Sequence, residues 1–173
     1  MIDIARLGLG SGEQRTVEVP VDVPPFSIGG LTYHCSGAPV ITRVDLTRLR
    51  SGLLLRLRLS TTILGPCHRC LTEAAVPVTI DAREYQADDP DPAATDEETS
   101  EYLDGDLLDV ATWAVDAIVL AMPLKILCRP DCKGLCPSCG VDLNRETCSC
   151  PPPAADDRWA ALRDLLPEDR ERE

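Results

Sequence analysis

Six of the nine cysteines in this chain lie between Cys128 and Cys150, in the run CRPDCKGLCPSCGVDLNRETCSC. Thiols at this density can bind metal, cycle between dithiol and disulfide, or cross-link the chain. The centre of the run is Cys136-Pro137-Ser138-Cys139-Gly140. Two thiolates three residues apart on a tight turn can share one metal ion. The proline stiffens that turn, and the glycine allows the positive φ that aims backbone N–H groups at sulfur. A second pair must close a tetrahedron, and both Cys128/Cys132 and Cys148/Cys150 are placed to supply it. An all-thiolate tetrahedron with no open position suits structural zinc. The odd cysteine count and the lack of a secretory leader argue against a disulfide framework. No βαβ pattern surrounds a Cys-x-x-Cys, which argues against thiol redox chemistry. The expectation is that four of these six cysteines hold one zinc ion.

A further pair stands upstream, in Cys67-His68-Arg69-Cys70. It is half of a second site, and the later run has two thiols to spare, so two sites using eight cysteines are arithmetically open. The alternative is a reduced pair that ends a hairpin. Cys35, beside His34, has no partner at ligand spacing and reads as a small buried hydrophobe. His34 and His68 are the only histidines, and no set of nucleophile, base and orienting group is visible. The chain therefore reads as a non-enzyme without a small-molecule substrate.

The elements that must position these thiols follow from hydrophobic period. Aromatics make up only 3% of the chain, so an aliphatic core is expected. Thr16–Val19 and Leu31–Cys35 read as short strands. Val40–Arg48 alternates, with Val40, Val44 and Leu46 on one face and Arg43 and Asp45 on the other. Leu55–Ser60 alternates without a fault, leucines opposite arginines, and Val76–Tyr85 places Val76, Val78 and Ile80 in phase. This predicts an antiparallel meander with one buried face and one face studded with Arg43, Arg48, Arg56 and Arg58, with Arg69 at the knuckle. Such a stripe could meet RNA phosphate or simply be solvated. A helix is predicted over Asp106–Met122, capped by Asp104 or Asp106, with Leu107, Val110/Ala111, Ala114, Ile118 and Ala121 on its apolar side and Pro123 as its stop. That side should pack on the leucine face. A short second helix is expected from Asp156 to Leu166.

Charge is strongly segregated. Residues 1–83 hold nine arginines against seven acids, whereas residues 84–118 hold twelve acids and no basic residue, the equivalent of the whole net charge of −12. An acidic segment opposes nucleic acid and suits a basic protein partner. No apolar run is long enough to span a bilayer, because Trp113–Met122 is interrupted by Asp116 and stopped by Pro123. Reduced cysteines without an export signal point to the cytoplasm. The expected organisation is a β-rich domain over 1–85, an acidic linker over 86–105, the helix over 106–123, a zinc module over 124–153, and a short helix and tail over 154–173.

Three blocks together resemble the YceD family of large ribosomal RNA subunit accumulation proteins. They are Cys67-His68-Arg69-Cys70-Leu71 after a hairpin, the acidic spacer running into Asp106-Leu107-Leu108-Asp109 and Ile118–Lys125, and Cys128–Gly140 with Leu143-Asn144, Cys148-Ser149-Cys150 and Asp157–Leu162. The resemblance covers about residues 30–166. It implies a non-enzymatic factor supporting accumulation or processing of large-subunit ribosomal RNA. The expected fold is α+β: a meander or partly open barrel, one long packed helix, and a cysteine-rich zinc module. The expected partner is a basic ribosomal protein, ribosomal RNA, or both, with the acidic segment 86–109 meeting the protein. Two other readings stay open: a thiol oxidoreductase using Cys67/Cys70 or Cys136/Cys139, and a zinc-ribbon adaptor for another complex.

Overall fold

The computed structural model describes residues 1–90 and 98–151. The second helix expected at 156–166 lies outside the described residues. Among the described residues, nine strands precede one α-helix: β1 (Ile2–Asp3), β2 (Gln14–Val21), β3 (Phe26–Ile28), β4 (Leu31–Cys35), β5 (Val40–Arg48), β6 (Gly52–Pro66), β7 (Glu73–Ala87), β8 (Leu103–Asp104), β9 (Leu107–Leu108) and α1 (Val110–Leu120). The chain divides into two compact units, Met1–Cys132 and the stretch from Lys133 onward.

The first unit is built around β6. Its fifteen residues pair along one edge with the whole of β7, from Gly52 opposite Ala87 to Pro66 opposite Glu73. Along the other edge they pair first with β5 and then with β4. All these pairings are antiparallel, and the sheet is open. The leucine alternation that marks β6 in the sequence is the reason. Leu53, Leu55, Leu57 and Leu59 all fall on the buried face, where Leu55 and Leu57 are wholly inaccessible, joined by Val44 and Leu46 from β5 and Val78 and Ile80 from β7. Glycine at position 65 matters because a Cβ there would meet the Tyr33 ring at 2.2 Å. The bare backbone lets that buried ring lie against β6.

Helix α1 touches β2 and β7, which flank the central β5–β6 pair, so it covers the leucine face. It buries Val110, Trp113, Ala114, Ala117 and Ile118. Its cap is Asp109, not Asp104 or Asp106: the Asp109 carboxylate accepts the N–H groups of Ala111 and Thr112, both at 3.1 Å. The backbone just upstream is occupied otherwise. Leu107–Leu108 form β9, which pairs with β1 and β8 in a separate three-stranded sheet. Leu107 and Ala111 are exposed as a result. The acidic segment is also more than a connection in its described part. Gln86 and Ala87 belong to β7, and buried Ser100 donates its N–H to the Gln86 side chain at 3.1 Å. The Tyr102 ring stacks on Trp113, with ring centroids 5.8 Å apart.

The polar face of the sheet holds a second departure from simple alternation. Asp45, expected in solvent opposite Val44 and Leu46, is only 4% exposed. Thr16 from β2 donates to it at 2.6 Å, and Arg58 from β6 forms a close ion pair with it. Arg43 lies 3.8 Å from the same carboxylate. Burial raises the Asp45 pKa, but the Thr16 hydroxyl and the Arg58 and Arg43 guanidinium groups outweigh it and hold the carboxyl below its usual range. A group whose folded pKa is depressed contributes stability above its unfolded pKa, about 3.9, and loses it as pH falls through the folded value. Asp45→Asn is therefore expected to cost about 2 kcal/mol at pH 7, with the gap to the native chain shrinking below about pH 4. Urea melts at pH 7 and pH 3 check this; an equal gap at both would contradict it.

Candidate metal centres

Eight of the nine cysteines come together as two groups of four. Cys67, Cys70, Cys128 and Cys132 form the first, and Cys136, Cys139, Cys148 and Cys150 the second, with the sulfur atoms of each group within 4.8 Å of one another. The first group lies wholly in the first unit and the second wholly in the second. The later run is thus divided: Cys128 and Cys132 turn back to the hairpin pair, and Cys148 and Cys150 join Cys136 and Cys139. Cys35 belongs to neither group and is buried. Desolvation raises its pKa, against the Thr61 hydroxyl.

The two groups rest on the same local device. Cys67–Cys70 sits in the turn between β6 and β7, where the Leu71 N–H donates to the Cys67 carbonyl at 3.0 Å and Leu71 takes φ 60°. Cys136–Cys139 closes the same way: the Gly140 N–H donates to the Cys136 carbonyl at 2.9 Å, with φ 75° at Gly140. Left-handed backbone after the second cysteine bends the turn so that N–H groups face sulfur, as the Arg69 N–H does toward Cys67 Sγ at 3.5 Å. Glycine announces this conformation in the sequence at 140; leucine conceals it at 71. The hairpin pair is tied to the later chain before any metal is considered. The His68 N–H donates to the Ile126 carbonyl at 2.7 Å, and Arg69 Nη1 donates to the Cys132 carbonyl at 2.7 Å.

The thiols are arranged for a cation. Cys67 and Cys132 sulfurs lie 3.8 Å apart, and those of Cys70 and Cys128 lie 3.6 Å apart. Four sulfurs bound tetrahedrally at about 2.3 Å would have edges of about 3.8 Å. Burial raises the Cys67 pKa, but the backbone N–H groups of Cys128, Cys70 and Arg69 overcome it and bring the thiol to about 6. Desolvation, then hydrogen bonding with neighbouring thiols, pushes Cys128 up to about 12. The second group repeats the contrast. N–H groups of Cys139 and Ser138 bring Cys136 to about 6, and hydrogen bonding with Cys139 ahead of desolvation drives Cys150 to about 12. Each group thus mixes thiols drawn down by hydrogen-bond donors with thiols pushed up by burial and by their neighbours, and a bound divalent cation would favour the thiolate form of all of them. The first group is the more enclosed: Cys67, Cys70 and Cys132 are buried, whereas in the second only Cys136 is.

Arg69 belongs to the first centre, while the other arginines of the expected stripe serve the sheet. Arg48 pairs with Asp88 at 2.9 Å, Arg56 Nε donates to Asp81 at 2.7 Å, and Arg43 and Arg58 share Asp45. The acidic segment clusters around Tyr102, whose hydroxyl is pushed up to about 12 by burial and by Asp116, Glu101 and Glu84.

The family model described as large ribosomal RNA subunit accumulation protein YceD matches residues 55–166. The chain belongs to the YceD family. That match takes in all eight clustered cysteines and α1. Uncharacterized proteins of Mycobacterium tuberculosis and Mycobacterium bovis are 33% identical over 169 residues, covering 95% of this chain and 80% of theirs. A Zea mays protein, the chloroplastic large ribosomal RNA subunit accumulation protein YCED homolog 1, is 29% identical, covering 83% of this chain and 61% of its own. No solved structure matches this chain.

The first group joins residues 58 apart between Cys70 and Cys128, and the second closes only a local loop. Cys70→Ser is expected to lower the stability of the Met1–Cys132 unit by about 4 kcal/mol, on the scale of a cross-link closing a loop of that length. Cys148→Ser should leave that unit's urea midpoint unchanged. Urea melts followed by circular dichroism compare the two, and equal losses would contradict the division.

Proposed function

We propose that this YceD-family chain is a non-enzymatic factor in assembly of the large ribosomal subunit, acting in the cytoplasm on large-subunit ribosomal RNA or a basic ribosomal protein bound to it. The observation that carries the reading is the gathering of eight cysteines into two four-thiol sets, within a chain whose family is described by accumulation of that RNA. Each set fits zinc, which takes four thiolates and needs no open position. Cys67, Cys70, Cys128 and Cys132 would hold one ion and Cys136, Cys139, Cys148 and Cys150 another. Zinc supplies folding energy there, on the order of 10–16 kcal/mol of binding in small modules.

The acidic residues about Tyr102, with exposed Glu101, Asp104 and Asp106, offer a surface for a lysine- and arginine-rich ribosomal protein. A thiol oxidoreductase would need a pair left free to react. Here each Cys-x-x-Cys pair sits within reach of a second pair, an arrangement that favours a metal clamp.

In gradient sedimentation of a lysate from source cells, the chain is expected with precursors of the large subunit, and its depletion should lower large-subunit ribosomal RNA relative to small-subunit RNA. A chain that stays with free proteins, in cells whose RNA ratio is unchanged on depletion, would overturn the reading.

A further inference from the structure

If RNA is touched directly, the sheet is poorly equipped for it. The four stripe arginines that the sequence offers for phosphate are each committed to a carboxylate: Arg43 and Arg58 to Asp45, Arg48 to Asp88, and Arg56 to Asp81. Breaking those pairs to bind phosphate exchanges one ion pair for another and leaves Asp45 buried without its counter-ions. Little net attraction remains there.

The first cysteine group presents a different surface. His68 and Arg69 lie between its first two cysteines, Lys125 lies three residues before Cys128, and Arg129 follows it; all four are exposed. They come from chain segments more than fifty residues apart, yet hydrogen bonds hold them at one end of the unit. The His68 N–H bonds Ile126, next to Lys125, and the Arg69 side chain bonds Cys132, three residues past Arg129. Neither Arg69 nor Lys125 forms an ion pair with a carboxylate among the described residues. Arg129 meets Asp131 at 3.5 Å, and both side chains of the pair are exposed. Beside the cations stands exposed Leu71, and Leu124 is fully exposed one residue before Lys125. Cations, an imidazole ring and apolar side chains on rigid turns are what single-stranded RNA needs: charge for phosphate, flat or apolar surface for an unstacked base. In a chain of net charge −12, such a rim stands out from its surroundings.

We propose that His68, Arg69, Lys125 and Arg129, on the rim of the first cysteine group, form the surface that contacts the phosphate backbone of ribosomal RNA. This rests on the assembly reading above and names the surface through which it acts. The metal-holding turns would then have two roles, closing the fold and setting cations from two segments side by side. Arg69 is doubly engaged, since its guanidinium also bonds the Cys132 carbonyl.

The test uses the full zinc-loaded chain and an in vitro transcript of a large-subunit ribosomal RNA segment, with binding measured across a salt series. The variants are Lys125→Gln combined with Arg129→Gln, neither of them a cysteine of the group, and Arg43→Gln combined with Arg56→Gln on the sheet. The rim pair is expected to weaken binding about tenfold and to reduce the slope of log affinity against log salt by about 1.5, for two lost phosphate contacts. The sheet pair should leave slope and affinity as they are, and zinc content should match the native chain in both. Unchanged binding by the rim pair, or a loss confined to the sheet pair, overturns the proposal. So does a native chain that sediments with large-subunit precursors but binds no RNA, an outcome that keeps the assembly reading and makes a protein its partner. A chain that neither sediments with precursors nor binds RNA removes both.

Discussion

The structure of the first unit depends on bringing the β6–β7 turn against the chain that leaves α1. Four sulfurs meet there, two from a hairpin turn and two from a segment roughly sixty residues later. Between these points the chain makes all of β7, the acidic segment, strands β8 and β9 and the helix. With aromatics at only 3%, few large side chains are available to lock that excursion. The largely aliphatic core supplies the broad driving force, since the leucines of β6 and the buried face of α1 exclude water. Contacts of that kind are non-directional. The sulfur cluster adds a fixed geometry, and metal held in it would make opening the clip cost the ion as well as the packing.

The second group does a more local job. Its cysteines span Cys136 to Cys150, and the backbone around them is pinned by the Cys136 N–H to the Val141 carbonyl and the Leu143 N–H to the Gly134 carbonyl. So short a segment buries little apolar surface of its own, and a metal ion bound there would substitute for a core. Similar turns thus serve two ends: the first holds distant parts of one unit together, and the second folds a segment that has little else to hold it. The ion pairs of the sheet belong with the first job. Asp45 draws arginines from β5 and β6 and a threonine from β2, so one carboxylate staples three strands across the polar face.

Much of this was legible in the sequence wherever a period was clean. The alternation of Leu55, Leu57 and Leu59 marked β6, and Val78 with Ile80 marked β7, because burial on one face of a strand repeats every second residue. The helix was legible from its apolar spacing and Pro123, but its start was not. Asp104, Asp106 and Asp109 are all competent caps, and two-residue strands such as β9 carry no period to set them apart. Alternation set Asp45 on the correct face but could not show its burial, which depends on Arg58, supplied by the next strand, and Thr16 reaching it. The cysteine spacing announced metal chemistry and made two sites arithmetically open. It could not say that Cys128 and Cys132 pair backward while Cys148 and Cys150 pair with Cys136 and Cys139, because that choice is made by the path of the chain. Leu71 hides the first knuckle for a related reason: the usual glycine signal is missing, and the left-handed backbone is imposed by its surroundings.

If these eight thiols form two separate and complete metal-binding sets, the metal content and coordination of the chain must show it. X-ray absorption at the zinc edge, combined with elemental analysis of the purified full chain, tests it most directly. Two zinc ions per chain are expected, each surrounded by four sulfurs at about 2.3 Å. A single zinc per chain, or nitrogen and oxygen in the coordination shell, would contradict it.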